Sequence, residues 1–100
     1  MLFMGTHSWP MEKTPEVGQV VLKTMLTLPP YVKMIGPFVA MGGEGVMVWT
    51  IWDVEKGHEA EGLLAIMKHR MEYASIGGQK FTLEPVLTAD AFASMVGLSL

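Results

Sequence analysis

Residues 45–52 read GVMVWTIW, and this stretch decides the fold more than any other part of the chain. Its side chains alternate between the two faces of a strand, with Val46, Val48, Thr50 and Trp52 on one face and Met47, Trp49 and Ile51 on the other. Both faces are apolar except at Thr50. Because a strand with one face in water carries polar residues at every second position, we expect this strand to be covered on both sides.

Three further strands are predicted around this one. The four expected strands are residues 2–9, 31–41, 45–52 and 79–87. Gly42-Gly43 lies between the second and third strands. We interpret it as a two-residue hairpin turn, because both central positions of the favoured turn need positive φ.

The first helix is predicted from its start signal and its end signal. Thr14-Pro15-Glu16 offers a hydroxyl N-cap, a proline at the first helical position and an acid in the first turn. Pro29-Pro30 ends the helix, because proline lacks the amide hydrogen. The predicted apolar face consists of Val17, Val20, Val21, Thr24, Met25 and Leu28. A second small apolar patch, on the opposite side, consists of Leu22 and Leu26.

A second helix is expected over about residues 55–75, with Asp53 as its cap and Gly77-Gly78 as its end. Its predicted apolar face consists of Ala60, Leu63, Leu64, Met67, Met71 and Ala74, and its polar side carries Glu61, Lys68 and Glu72. A short terminal helix starts at Thr88 and runs to about residue 96.

The element order predicts the arrangement of the sheet. A β-α-β-β-α-β order is typical of the ferredoxin-like α+β sandwich, in which strands one and three are central and strands two and four are edges. Proline is confined to edge strands or bulges, and Pro37 and Pro85 fall in strands two and four. The sequence therefore predicts a single α+β domain over residues 1–100.

A bare sheet face predicts a homodimer. Both helices of such a unit cover one face of the sheet, and we expect Trp49 to pack beneath them. Two copies can bury their other faces against each other, forming an α+β barrel in which one patch serves both copies. The interior of that barrel would be the ligand-binding site, lined by Phe3, His7, Trp9, Val48, Thr50 and Trp52.

Composition excludes several classes of protein. Half of the residues are hydrophobic and 17% are charged, with a net charge of −3, which disfavours a general nucleic-acid binder. The longest apolar stretch, residues 31–52, is interrupted by Lys33, Pro37 and Glu44, so we expect no membrane span. The opening MLFMGTHSWP lacks the basic and apolar regions of a signal peptide, and there is no cysteine. These features predict a cytoplasmic protein without disulfides or a metal site.

The chain resembles the dimeric α+β barrel superfamily, and in particular its short members without an assigned activity. The matching segments are MLFMGTHSWP (1–10), VKMIGPFVAMGGEGVMVW (32–49) and FTLEPVLTADAFA (81–93). The resemblance implies a homodimeric barrel. It implies no single chemistry, because the superfamily spans monooxygenases, haem-degrading enzymes, isomerases and proteins with no known activity.

The haem-degrading branch of that superfamily gives the most specific comparison. By resemblance, His7 stands at the position of that branch's amide residue, and Trp52 matches its tryptophan. Gly62 stands where the branch has its haem-ligating histidine, so we expect neither haem nor another cofactor. His7 is the candidate catalytic residue, as a base or a ligand. His58 and His69 are expected on the solvated side of the second helix.

Three functions remain open at this point. The chain could bind a small apolar ligand in the barrel interior, or act there as a cofactor-free monooxygenase- or isomerase-like enzyme. It could instead be a structural or regulatory homodimer without a ligand. An open cavity beside His7 would favour the first two, and an interior filled with side chains would favour the third.

Overall fold

The computed structural model describes residues 1–24 and 27–98 and shows an α+β fold with a four-stranded antiparallel sheet. Its elements are β1 (Leu2–Trp9), a 3₁₀ turn (Met11–Lys13), α1 (Thr14–Thr24), β2 (Val32–Gly42), β3 (Gly45–Val54), α2 (Glu59–Met71), β4 (Lys80–Val86) and α3 (Ala89–Met95). Met25 and Leu26, which were expected on the first helix, lie outside the described residues. Within the described part of the chain, no helix combines the length and the hydropathy needed to cross a membrane.

The strands run in the order β2-β3-β1-β4, and every neighbouring pair is antiparallel. This confirms the prediction that strands one and three are central. Pro37 and Pro85 lie in the two edge strands. Pro37 also falls at the irregularity between Ile35 and Phe38, where β2 shifts its register against β3, so its missing amide hydrogen costs no ladder bond in the sheet interior.

The hairpin between β2 and β3 differs from the prediction. Gly42 pairs with Gly45, so the turn residues are Gly43 and Glu44, and neither has a positive φ. The positive φ falls on Gly45, at 121°. A side chain at Gly45 would also collide with the Trp9 carbonyl, so two separate constraints keep this position a glycine.

Both long helices cover the face of the sheet that carries Trp52, not the face that carries Trp49. Trp52 is 3% exposed, whereas Trp49 is 39% exposed. The expectation that Trp49 packs beneath the helices is therefore wrong. The core has two clusters, Trp9, Val17, Val46, Val48, Tyr73 and Ile76 in one and Phe3, Val32, Trp52, Val54 and Ile66 in the other.

The opposite side of the sheet, which we call the open face, is apolar over β2 and β3 and carries Thr6, Ser8 and Thr82 on β1 and β4. Its apolar side chains are Met4, Ile35, Phe38, Met47, Trp49 and Ile51, which the strand register places side by side. Charged residues of the strands share the same face near its margins. They are Lys33, Asp53, Lys80 and Glu84. These charges mark the open face in the sequence and could have identified it.

The α2 helix turns a different stripe toward the sheet than hydrophobicity predicts. Its buried residues are Gly62, Ile66 and Arg70, while Leu64 and Met67 from the predicted face are exposed. The cause is steric, because a Cβ at Gly62 would overlap both methyl groups of Val54, which is fully buried in β3. The helix therefore approaches the sheet most closely where it has no side chain.

The two predicted helix caps are wrong, whereas the predicted start of the terminal helix at Thr88 is confirmed. Thr14 is already helical, and its hydroxyl donates to the Met11 carbonyl at 2.7 Å. Asp53 lies within β3, and α2 starts only at Glu59, without a side-chain cap. Thr88 does cap α3, since its hydroxyl accepts from the Ala91 amide at 3.1 Å.

Two mid-helix glycines are expected to respond oppositely to alanine. Gly62→Ala should destabilise the protein by about 1–2 kcal/mol, because overlap with Val54 outweighs the gain in helix propensity. Gly18→Ala, in α1, should stabilise it by about 0.5–1 kcal/mol, because no atom lies within 4 Å of the added Cβ. Urea melts at one protein concentration measure both. Equal shifts of the two midpoints would contradict the packing described for α2.

Candidate functional site

A cavity of about 260 Å³ lies between α1, α2 and the helix-covered face of the sheet. We call it the helix–sheet cavity. Three strands and both long helices line it. The strand residues are His7 and Trp9 of β1, Met34, Pro37 and Val39 of β2, and Val48, Thr50 and Trp52 of β3. The helix residues are Thr14, Val17, Gly18 and Val21 of α1, His69 and Arg70 of α2, and Tyr73 just after α2. Gly18 is exposed, so the cavity meets solvent beside α1.

Most of the residues predicted as a ligand site line this cavity. His7, Trp9, Val48, Thr50 and Trp52 are all buried and all contribute to its wall. The sixth predicted residue, Phe3, is buried on the same face but lines a neighbouring apolar groove between α2 and β4, which shares Arg70 with the cavity.

The position of the site differs from the prediction. The predicted residues were placed in a barrel interior between two sheets, on the uncovered face. They lie instead within one subunit, beneath the helices, because the helices cover the face of Trp52. The shared face of His7 and Trp52 was predicted, and the layer that covers it was not.

His7 is held among aromatic rings. Its ring centroid lies 4.7 Å from that of Tyr73 and 4.9 Å from that of Trp9. His7 Nε2 donates to Gln79 Oε1 at 3.0 Å, so in the neutral ring Nδ1 carries no proton and can accept a hydrogen bond. Burial, with the nearby Arg70 cation, lowers the pKa of His7 from its ordinary 6.5 to about 4, so the ring is neutral at pH 7.

Arg70 is the one formally charged residue in the wall of the helix–sheet cavity. Its side chain is 4% exposed, and its guanidinium carbon lies 4.8 Å from the ring centroid of Trp52 and 5.1 Å from that of Phe81. Gly5 makes room for it, because a Cβ there would collide with both the guanidinium and the Trp52 ring. Nη1 donates to the Thr6 carbonyl at 3.1 Å.

Two further polar groups of the cavity wall lack partners. Trp52 Nε1 and His69 Nδ1 are buried, and neither has a hydrogen-bond partner among the described residues. The other indole N–H of the wall is paired, since Trp9 Nε1 donates to Thr14 Oγ1 at 3.1 Å. A buried polar group without a partner costs free energy, and Trp52 Nε1 is enclosed by the protein, so an atom in the cavity would meet it only if neighbouring side chains moved.

The histidines of α2 depart from the sequence expectation in different ways. His69 was expected on the solvated side, but it is half-buried and lines the cavity, and burial lowers its pKa. His58 stacks on Tyr31 with ring centroids 4.4 Å apart, at the start of α2 and away from the cavity. Within residues 1–24 and 27–98, no three His, Asp or Glu side chains are placed to hold a metal ion.

Sequence analysis missed the contribution of α2 to the site. Arg70 and Tyr73 follow Ile66 at four- and seven-residue spacing, and Gly62 precedes it by four, so all of them lie on one helical stripe. The signal was Gly62. A glycine within a helix often marks a close backbone approach, and the residues one and two turns further along then face the same neighbour.

Comparisons with known proteins show the fold and no family. No protein-family model and no curated protein matches the chain. Among solved structures, the de novo designed protein Foldit4 matches with a TM-score of 0.59 at 9% identity, covering 87% of this chain and 94% of that one. A formyltetrahydrofolate deformylase from Pseudomonas putida KT2440 matches with a TM-score of 0.51 at 11% identity.

These similarities are confined to architecture. The deformylase match covers 97% of this chain but only 39% of that chain. A designed protein and part of an enzyme share the fold, so the fold by itself does not decide between functions. The function has to be argued from the cavity.

Acidification is expected to destabilise the protein through His7. A histidine whose folded pKa lies below its unfolded pKa takes up its proton more readily in the unfolded chain, so stability falls as pH drops from about 6.5 toward 4. The loss between pH 7 and pH 5 should be on the order of 2 kcal/mol. Urea melts of the wild type and His7→Gln at both pH values measure it. A wild-type midpoint that falls no more than that of the variant would contradict a buried neutral His7.

Proposed function

We propose that this protein is a ligand-binding homodimer of the ferredoxin-like, dimeric α+β barrel type, and that each subunit binds one small, largely apolar molecule in its helix–sheet cavity. The observation that carries the proposal is the cavity itself. Protein interiors normally pack without voids of this size, and Trp52, which lines this one, carries a buried Nε1 with no hydrogen-bond partner among the described residues.

The walls of the cavity match those of small-molecule sites in general. Such sites are mainly apolar and carry a few placed polar groups that orient the ligand. Here valines and aromatic rings supply the apolar wall, and the polar groups are those of Thr14, Thr50, His7, His69, Arg70 and Tyr73.

The protonation of His7 supports binding over cofactor-free proton transfer. A general base works best when its pKa is near the operating pH. Burial and the Arg70 cation lower the pKa of His7 to about 4, which makes it a weak base. His7, the candidate catalytic residue of the enzyme alternative, is therefore poorly suited to removing a proton at pH 7, and the binding function is the one we propose.

The dimer is supported by the open face. Its apolar patch on β2 and β3, flanked by hydroxyl-bearing and charged residues, resembles the apolar core and polar rim of a protein–protein interface. The single chain exposes 6802 Å², whereas a folded monomer of 11.0 kDa exposes about 5,600 Å² by size scaling. The excess of about 1,200 Å² is comparable to the roughly 800 Å² that each partner buries in a standard interface.

Filling the cavity should abolish binding without unfolding the protein. The probes are 2-naphthoate and 2-naphthalenemethanol, which share one apolar body. We expect at least one of them to bind wild-type protein saturably by calorimetry, with one site per subunit. Gly18→Phe should abolish this binding, because it places a ring at the edge of the cavity from a helical position with open space.

Gln19→Phe is the matched control, since Gln19 is exposed on the same helix and does not line the cavity. It should leave the affinity unchanged. If neither probe binds the wild type, or if both variants bind as the wild type does, the cavity is not the binding site.

Placing a charge at the centre of the open face should separate the subunits. Trp49→Glu puts a carboxylate into an apolar contact without a partner, so light scattering should move from about twice 11.0 kDa to a monomer, with far-UV circular dichroism preserved. Leu64→Glu, at an exposed position of α2, should leave the dimer intact. A wild-type monomer at micromolar concentration would contradict the dimer.

A further inference from the structure

Arg70 is a cation inside the helix–sheet layer, not a surface residue that happens to touch it. Arginine is rarely buried to this extent unless it is paired. Here the fold makes space for it, since Gly5 provides the room that the guanidinium occupies. The buried position of the Arg70 side chain therefore depends on a residue outside α2, namely Gly5 in β1.

The protein does not neutralise this cation. No Asp or Glu within residues 1–24 and 27–98 forms an ion pair with Arg70. The rings of Trp52 and Phe81 stabilise the charge without cancelling it. Of the five N–H donors of the guanidinium, the hydrogen bonds of the described residues engage one, in the contact to the Thr6 carbonyl.

The groups around Arg70 in the cavity wall all accommodate a negative charge. The wall of the helix–sheet cavity contains neither Asp nor Glu, whereas the groove between α2 and β4, which Arg70 also lines, contains Glu59. His7 and His69 face the same space, and burial lowers the pKa of each, so at neutral pH neither adds a second cation.

We propose that the ligand of the helix–sheet cavity is an apolar monocarboxylic acid, whose carboxylate is bound by the Arg70 guanidinium while its apolar body packs against the valines and aromatic rings. This inference rests on the proposed binding function and names the ligand class of the same site. A planar guanidinium matches a carboxylate with two parallel hydrogen bonds. A single positive charge in an apolar wall suits one negative charge, and a phosphate monoester would bring a second one without a partner.

The same two naphthalene probes test the ligand class, because they differ in the carboxylate and not in the ring. Wild-type protein should bind 2-naphthoate about 10- to 100-fold more tightly than 2-naphthalenemethanol at pH 7, in line with the strength of charge-assisted hydrogen bonds. Arg70→Met keeps an apolar stem of similar length and removes the charge. It should bind both probes with similar affinity, with far-UV circular dichroism as the check on folding.

Arg70→Lys keeps the charge but loses the planar fork, so it should retain part of the preference for the acid. Equal wild-type affinities for the two probes would overturn the acid proposal and leave the binding function standing. A preference that survives in Arg70→Met would show that another group binds the carboxylate, which also overturns it. If neither probe binds wild-type protein, the binding function itself is wrong.

Discussion

The close contact between Gly62 and Val54 sets the geometry on which the rest of the layer depends. Because Gly62 has no side chain, α2 can lie directly against the buried Val54 side chain of β3. That contact fixes which stripe of the helix faces the sheet. Ile66, one turn further along, becomes fully buried, and Arg70, two turns along, enters the layer above Gly5. Arg70 is thus buried in the cavity wall because α2 approaches the sheet most closely at Gly62.

The sequence predicts the strands and their order well, because these depend on local signals and on rules that hold for any sheet. Alternation and turn residues locate four strands, and Pro37 and Pro85 indicate which two are edges. The rotation of α2 could not be predicted from hydrophobicity, since two stripes competed. The stripe that is richer in leucine and methionine does not face the sheet. The helix packs closest at Gly62, where any side chain would overlap Val54.

The sequence predicts correctly that the candidate site residues share one face of the sheet. It predicts wrongly which face of the sheet the helices cover. Alternation in β3 shows that Val48 and Trp52 share a face, but it cannot show which face the helices cover when both faces are apolar. The charged residues at the strand ends indicate which face is open, since Lys33 and Asp53 lie opposite each other in the strand register on that face. Arg70 could not be found from the apolar pattern, because an arginine on a helix is normally assigned to solvent.

The separation of the two faces has a physical consequence for Arg70. The open face lies on the other side of the sheet from the helix–sheet cavity, so a dimer formed through that face would not supply a counter-charge to Arg70. Aromatic rings and one carbonyl reduce the cost of burying the guanidinium, whose pKa burial still lowers to about 10. An apolar residue of similar length would avoid that cost altogether. A cation kept in such a place is stabilised most by an anion that enters the cavity, and this connects the energetics of the core to the proposed choice of ligand.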